Sequence, residues 1–294
     1  MSKDFERPII IIGAARSGTK MLRAALSATP ELVAFPYDIN YIWKYNNYHI
    51  PHDELTKEDL TNEINQFIRN QFKKLLLKNN AKRVLEKTVC NSLRVDFVKA
   101  IFPHCQIIHI YRDGRDVAAD ARLCWQSSIL SSKIQSKRDL FKKIINFPLK
   151  AAWPYLVNYL SNNIGHFFFK TKYVKSWGPR FRDIDECLKK YSLIEVCGIQ
   201  WTKSVEFSLK SFSFLEENKE YINIRYEDLV RNPVRILRKI ADFLEIENFG
   251  PIQRFAEEKI TDEFVGFWQK ALSAEEIEKL LPHIRKYLEI LGYV

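Results

Sequence analysis

The residues whose types and spacing could do chemistry begin at Gly13-Ala-Ala-Arg-Ser-Gly-Thr-Lys20, directly behind the apolar run Pro8-Ile-Ile-Ile-Ile12. A glycine-rich turn between a buried strand and a helix gathers backbone N–H groups at the positive end of the helix, which makes an anion cradle. Arg16, Ser17, Thr19 and Lys20 add donors and charge around it. The spacing approaches a nucleotide-binding P-loop, but a P-loop ATPase has Lys beside the second glycine, followed by the hydroxyl that holds Mg²⁺. Here Thr19 follows Gly18, Lys20 comes after it, and Arg16 lies inside the loop. Nor does a strand pattern end in a magnesium-binding Asp, since Ile107–Ile110 runs into Tyr111-Arg112. A plain tight turn accounts for the two glycines alone, and less well for the flanking strand, helix and charge.

The elements that must position this loop follow from hydrophobic patterning. Ile9–Ile12 is all apolar, as in a buried parallel strand. Met21, Leu22, Ala25 and Leu26 recur at helical spacing and stop before Pro30. Val84–Glu86, Gln106–Tyr111 and Tyr221–Tyr226 are further strand candidates. Between them, Asn91 is placed to cap a helix through Leu93, Phe97 and Ile101, and Val117–Trp125 predicts another. Asn232-Pro233 and Ser273-Ala-Glu-Glu276 read as helix starts, the second with a capping box. Alternating strands and helices predict an α/β fold, a parallel β-sheet flanked by helices. Ligands then bind beyond the carboxyl ends of the strands. The polar stretches Gly13–Lys20, Glu86–Asn91, Arg112–Arg115 and Arg225–Asp228 are therefore expected to converge.

With 294 residues, 46% hydrophobic and 13% aromatic, the chain has the composition of one large domain with a real core. Residues 1–294 read as a single domain, with a mostly helical, basic and aromatic insertion at about 127–193 shaping a second pocket. An excess of 46 basic over 36 acidic residues gives +10 and favours anionic partners. The basic stretch Lys133–Lys143 reads as a solvated helix face rather than a nucleic-acid surface. Phe147–Phe169 is apolar but interrupted by Pro154, Asn158, Asn162 and Asn163, which argues against a membrane span and leaves peripheral membrane contact open. Five cysteines without a CxxC pair fit reduced thiols in a cytoplasmic protein. His49 and His52 have no acid or cysteine at metal spacing, so they read as surface histidines.

Three ordered motifs resemble the sulfotransferases that use 3′-phosphoadenosine 5′-phosphosulfate (PAPS), in the manner of bacterial, tyrosylprotein and glycan members. Arg16-Ser-Gly-Thr19 is similar to the family's 5′-phosphosulfate loop. Tyr111-Arg-Asp-Gly-Arg-Asp-Val-Ala118 resembles the second signature, which implies a 3′-phosphate role for Arg112. Arg225-Tyr-Glu-Asp-Leu229 with Pro233 resembles the third and implies that Tyr226 lies near the adenine or 3′-phosphate. By the same resemblance, Arg16, Ser17, Gly18, Thr19 and Lys20 hold the donor, and Lys270 belongs to a remnant of a basic closing loop, Phe264–Lys270.

Sulfuryl transfer to a hydroxyl needs an in-line nucleophile, charge stabilisation and a base. Asp38, in Phe35-Pro-Tyr-Asp-Ile39, is the acidic candidate at the family's base position, and Lys87 in Leu85-Glu-Lys-Thr88 resembles its transition-state lysine. Arg16 and Lys87 can then supply the charge that Mg²⁺ supplies in phosphoryl transfer, so no metal is expected. The resemblance implies a hydroxyl acceptor, with carbohydrate or glycolipid favoured by the basic, aromatic insertion. At Asp120 the chain departs from the family, which carries serine there. A carboxylate beside a phosphate needs neutralising, and Arg115, Arg122 and Lys270 are the expected partners. The rival readings are a kinase or NTPase using ATP and Mg²⁺, and a nucleotide- or glycan-binding domain without turnover.

Overall fold

The computed structural model describes residue 5 and residues 7–131, 177–217 and 219–294. Most of the expected insertion, including Lys133–Lys143 and Phe147–Phe169, lies outside the described residues. Among the described residues, five strands form one parallel sheet in the order β2-β3-β1-β4-β5. They are β1 (Ile9–Ile12), β2 (Leu32–Ala34), β3 (Arg83–Lys87), β4 (Gln106–Tyr111) and β5 (Tyr221–Arg225). Ile9 of β1 pairs with Leu85 on one side and Gln106 on the other, so the phosphate-loop strand is central.

The all-apolar β1 follows from burial on both faces. Ile9 and Ile11 pack with Leu22 and Leu26 of α1 (Thr19–Leu26). Ile10 and Ile12 face Trp43, Phe72 and Phe97, from α2 (Asn40–Trp43), α3 (Asn62–Asn79) and α4 (Val95–Ile101). A third apolar cluster joins α5 (Gly114–Ser131) to the later helices. Those run as α6 (Ile184–Lys190), α7 (Leu193–Phe212), α8 (Tyr226–Arg231), α9 (Pro233–Phe243), α10 (Gly250–Lys259), α11 (Trp268–Ala271) and α12 (Ala274–Ile290). The start of α5 approaches α7 so closely that a Cβ at Gly114 would lie 2.7 Å from the Trp201 ring. Among the described residues, no helix is long and apolar enough to cross a membrane.

Two local expectations need correction. Asn91 does not cap a helix: Val89–Leu93 is a 3-10 turn, and α4 starts at Val95 behind Arg94. The Asn91 side chain is spent inside, donating to Glu86 at 2.9 Å and accepting from Arg94 at 2.8 Å. The last strand also ends one residue early, because Tyr226 already begins α8 and is swung over the phosphate loop. Ser273 forms its capping box with Glu276 as patterned, and Pro233 opens α9.

Candidate active site

All strands being parallel, the loops after β1, β3, β4 and β5 leave the same end of the sheet, and the four polar stretches meet there. In the loop after β1, Arg16 and Gly18 take positive φ values of 70° and 86°, and Ser17 N–H donates to Ala14 O at 3.2 Å. Gly18 precedes α1 and offers no side-chain cap, so the first amides of the helix have no acceptor from within it. The Ser17 hydroxyl is buried and, among the described residues, without a hydrogen-bond partner. A left-handed turn of this kind, an uncapped helix start and an orphaned hydroxyl fit an anionic group such as a phosphosulfate.

Tyr226 packs directly on this turn. A Cβ at Gly18 would fall 2.6 Å from the Tyr226 ring, and the Arg112 guanidinium lies 4.5 Å from the centre of the same ring. The three sequence motifs thus stack as loop, tyrosine and arginine. Burial raises the Tyr226 pKa, against the pull of Arg112, so the ring is held as the neutral phenol. Gly18→Ala adds both the steric clash and the strain of a positive φ. It is expected to cost about 1–3 kcal/mol, seen as a lowered midpoint in thermal denaturation.

Arg112 is 2% exposed and fully engaged by the protein on its terminal nitrogens. One donates to Arg16 O at 3.0 Å and lies 3.6 Å from Asp120, while the other donates to Phe264 O at 2.6 Å and lies 3.5 Å from Asp116. Its Nε is buried and has no partner among the described residues. Asp120 also pairs with Arg16 Nε at 2.9 Å. Burial disfavours the Arg16 charge, and the contact with Asp120 more than offsets it, raising its pKa. The expected neutralisers of Asp120 are therefore corrected. Arg115 is bidentate to Asp113, Arg122 pairs with Glu276, and among the described residues Lys270 makes no ion pair. Arg16 and Arg112 take their place because α5 turns Asp120 back toward the loop rather than toward the outer arginines.

Across the loop, Lys87 at the end of β3 forms an ion pair with Asp38, whose other oxygen accepts from Val89 N–H at 3.3 Å. The lysine side chain is nearly buried and the aspartate is about one-third exposed. Behind them Glu86 is wholly buried and accepts from Thr88 Oγ and Asn91. Thr88 Oγ in turn accepts from Ile39 N–H at 2.9 Å, next to Asp38. Burial pushes the Glu86 carboxyl up to about 7, with the Asp38 charge adding to the rise. A folded-state pKa above the unfolded one means that stability is fully present below about 4.5 and is lost as pH rises through 7. Glu86→Gln is expected to remove a loss on the order of 3 kcal/mol across that window. Denaturant titrations at pH 5 and 8 on both proteins read it as a flattened pH dependence.

Of the other candidate residues, Thr19 is buried at the start of α1, and Lys20 beside it is exposed. Lys270 is exposed on α11, and the loop before α11 is tied down by Asp116, which accepts from Gly266 N–H at 3.0 Å and Trp268 N–H at 2.9 Å. Sequence reasoning missed Asp116, Glu86 and the pair Glu227–Tyr293. Tyr293 OH donates to Glu227 at 2.7 Å, and Glu227 accepts from Asp113 N–H at 3.1 Å. Acidic residues inside the Arg-Asp-Gly-Arg-Asp and Arg-Tyr-Glu-Asp runs were the available signal, since buried arginines require buried partners.

Residues 8–140, just under half of the chain, match the profile of the Sulfotransferase family. No curated protein matches the sequence. Among solved structures, the chain is similar to the sulfotransferase domain from the curacin biosynthetic pathway (15% identity, TM-score 0.53, covering 94% of this chain and 96% of that one). It is similar to the sulfotransferase domain of the Synechococcus PCC 7002 olefin synthase (15%, 0.50, 94% and 94%). Sulfotransferase STF9 from Mycobacterium avium matches at 12% identity and TM-score 0.53, over 97% of this chain and 77% of that one. Residues 8–140 thus match the sulfotransferase family model, and nearly the whole length of the chain has the fold of these sulfotransferases.

Proposed function

We propose that the chain transfers the sulfuryl group of PAPS to a hydroxyl of an acceptor, with carbohydrate or glycolipid as the acceptor class. The family match and the fold support sulfuryl transfer. The single observation that carries the donor reading is the loop itself: positive-φ Arg16 and Gly18 around a buried, partnerless Ser17 hydroxyl at an uncapped helix start. Arg16–Lys20 would hold the phosphosulfate, and Tyr226 and Arg112 the nucleoside side. PAPS supplies the sulfuryl group and a phosphate leaving group. Asp38 accepts the proton of the acceptor hydroxyl, and Lys87, released from Asp38, sets its charge against the negative charge that develops at the reacting centre. The carbohydrate preference rests on the basic, aromatic sequence of the insertion, whose residues lie mostly outside those described.

Calorimetry tests the donor. Adenosine 3′,5′-bisphosphate is titrated in the presence of a chelator, and ATP with Mg²⁺ separately. Binding of the first without metal supports the proposal, and binding of ATP·Mg²⁺ alone overturns it. Labelled sulfate from PAPS appearing on glycans or glycolipids, and not on other hydroxyl compounds, supports the acceptor class.

A further inference from the structure

Resting on that donor reading, we infer that Asp120 is a specificity-determining residue that occupies, as an internal carboxylate, the place of the donor's 3′-phosphate. Three observations converge on it. First, Asp120 bridges the two arginines that the donor would use, lying 2.9 Å from Arg16 Nε and 3.6 Å from an Arg112 terminal nitrogen. Second, both Arg112 terminal nitrogens are engaged by Arg16 O, Phe264 O and Asp116, so the guanidinium edge that would grip an incoming phosphate is occupied and its buried Nε alone stays unpaired among the described residues. Third, the charges cancel: two guanidinium groups face two carboxylates in one cluster, so an added phosphate dianion meets no net positive charge. Specificity is a difference between two binding free energies, and a fixed negative charge at the subsite removes the term that would favour the 3′-phosphorylated nucleotide. Of the 5′ cradle this arrangement engages the Arg16 side chain and leaves the backbone amides and the Ser17 hydroxyl untouched. Asp120 lies on α5, whereas the Ser17 hydroxyl and the first amides of α1 belong to the loop after β1. The chain therefore binds adenine nucleotides through the 5′ end and reads the 3′ position poorly.

The test compares adenosine 3′,5′-bisphosphate with adenosine 5′-monophosphate by calorimetry, on the unaltered protein, Asp120→Ser and the near-isosteric Asp120→Asn. The asparagine variant retains the packing if serine leaves a cavity, and circular dichroism checks that each is folded. The unaltered protein is expected to bind the two nucleotides within about fivefold of each other. Either variant is expected to tighten the bisphosphate by about tenfold or more relative to the monophosphate. If the unaltered protein already prefers the bisphosphate by about a hundredfold and the variants add nothing, Asp120 is displaced without cost and the inference fails, while the donor reading stands. If neither nucleotide binds any of the three proteins, the donor reading fails and takes this inference with it.

Discussion

Asp38→Asn is expected to lower kcat by about 10²–10⁴-fold, the usual worth of a positioned general base. The affinity for adenosine 3′,5′-bisphosphate should be nearly unchanged, since among the described residues Asp38 pairs with Lys87 and Val89 rather than with the phosphate loop. The substitution preserves the shape of the side chain, so Val89 N–H keeps an acceptor. What it removes is the charge that holds Lys87 and the basicity needed to accept a proton. Because Lys87 and Asp38 form one pair, Lys87→Ala should also damage turnover. Its signature differs: it leaves the Asp38 carboxylate in place, so raising the pH does not restore the rate. Steady-state rates over a pH series, with donor binding measured in parallel, separate these outcomes. An Asp38→Asn enzyme with normal kcat removes Asp38 from the base role.

The fold was legible because its strands are buried on both faces. A run such as Ile9–Ile12 followed by glycine has few other readings, and Gln106–Tyr111 repeats the pattern. β2 was not legible: three residues paired with β3 at the edge of the described sheet carry too little pattern. α3 was also passed over, although its buried Ile64, Ile68, Phe72 and Leu76 have helical spacing. The proposed donor-binding positions were readable as types, because glycine turns and arginines at strand ends have a known chemistry. Their pairings were not. Asp120 and its two arginines are separated by 104 and 8 residues, and only the return of α5 past the loop brings all three together. The Glu86 network was hidden for a related reason. A glutamate inside a strand usually signals a solvent-facing side, and here it faces the interior because Thr88 and Asn91 meet it there.

The same cluster makes Arg112→Ala a stability experiment as much as a binding one. Arg112 and Asp116 are almost completely buried and Asp120 largely so. Taking away the guanidinium leaves Asp116 and Asp120 without it, Asp120 keeping its pair with Arg16, and Phe264 O and Arg16 O lose their donor. Removing one partner of a buried pair costs about 3–5 kcal/mol, mostly from the charge left behind. The transition should fall by roughly 6–20 °C for a chain of this size. The origin of the loss can be isolated by adding Asp116→Asn and Asp120→Asn to Arg112→Ala. If stranded charge is the cause, the triple variant recovers much of the stability that the single variant lost, a non-additivity expected of groups in one network. If the triple variant is less stable still, packing of the arginine against Tyr226 dominates instead, and the charge balance around Arg112 is not what holds the site together.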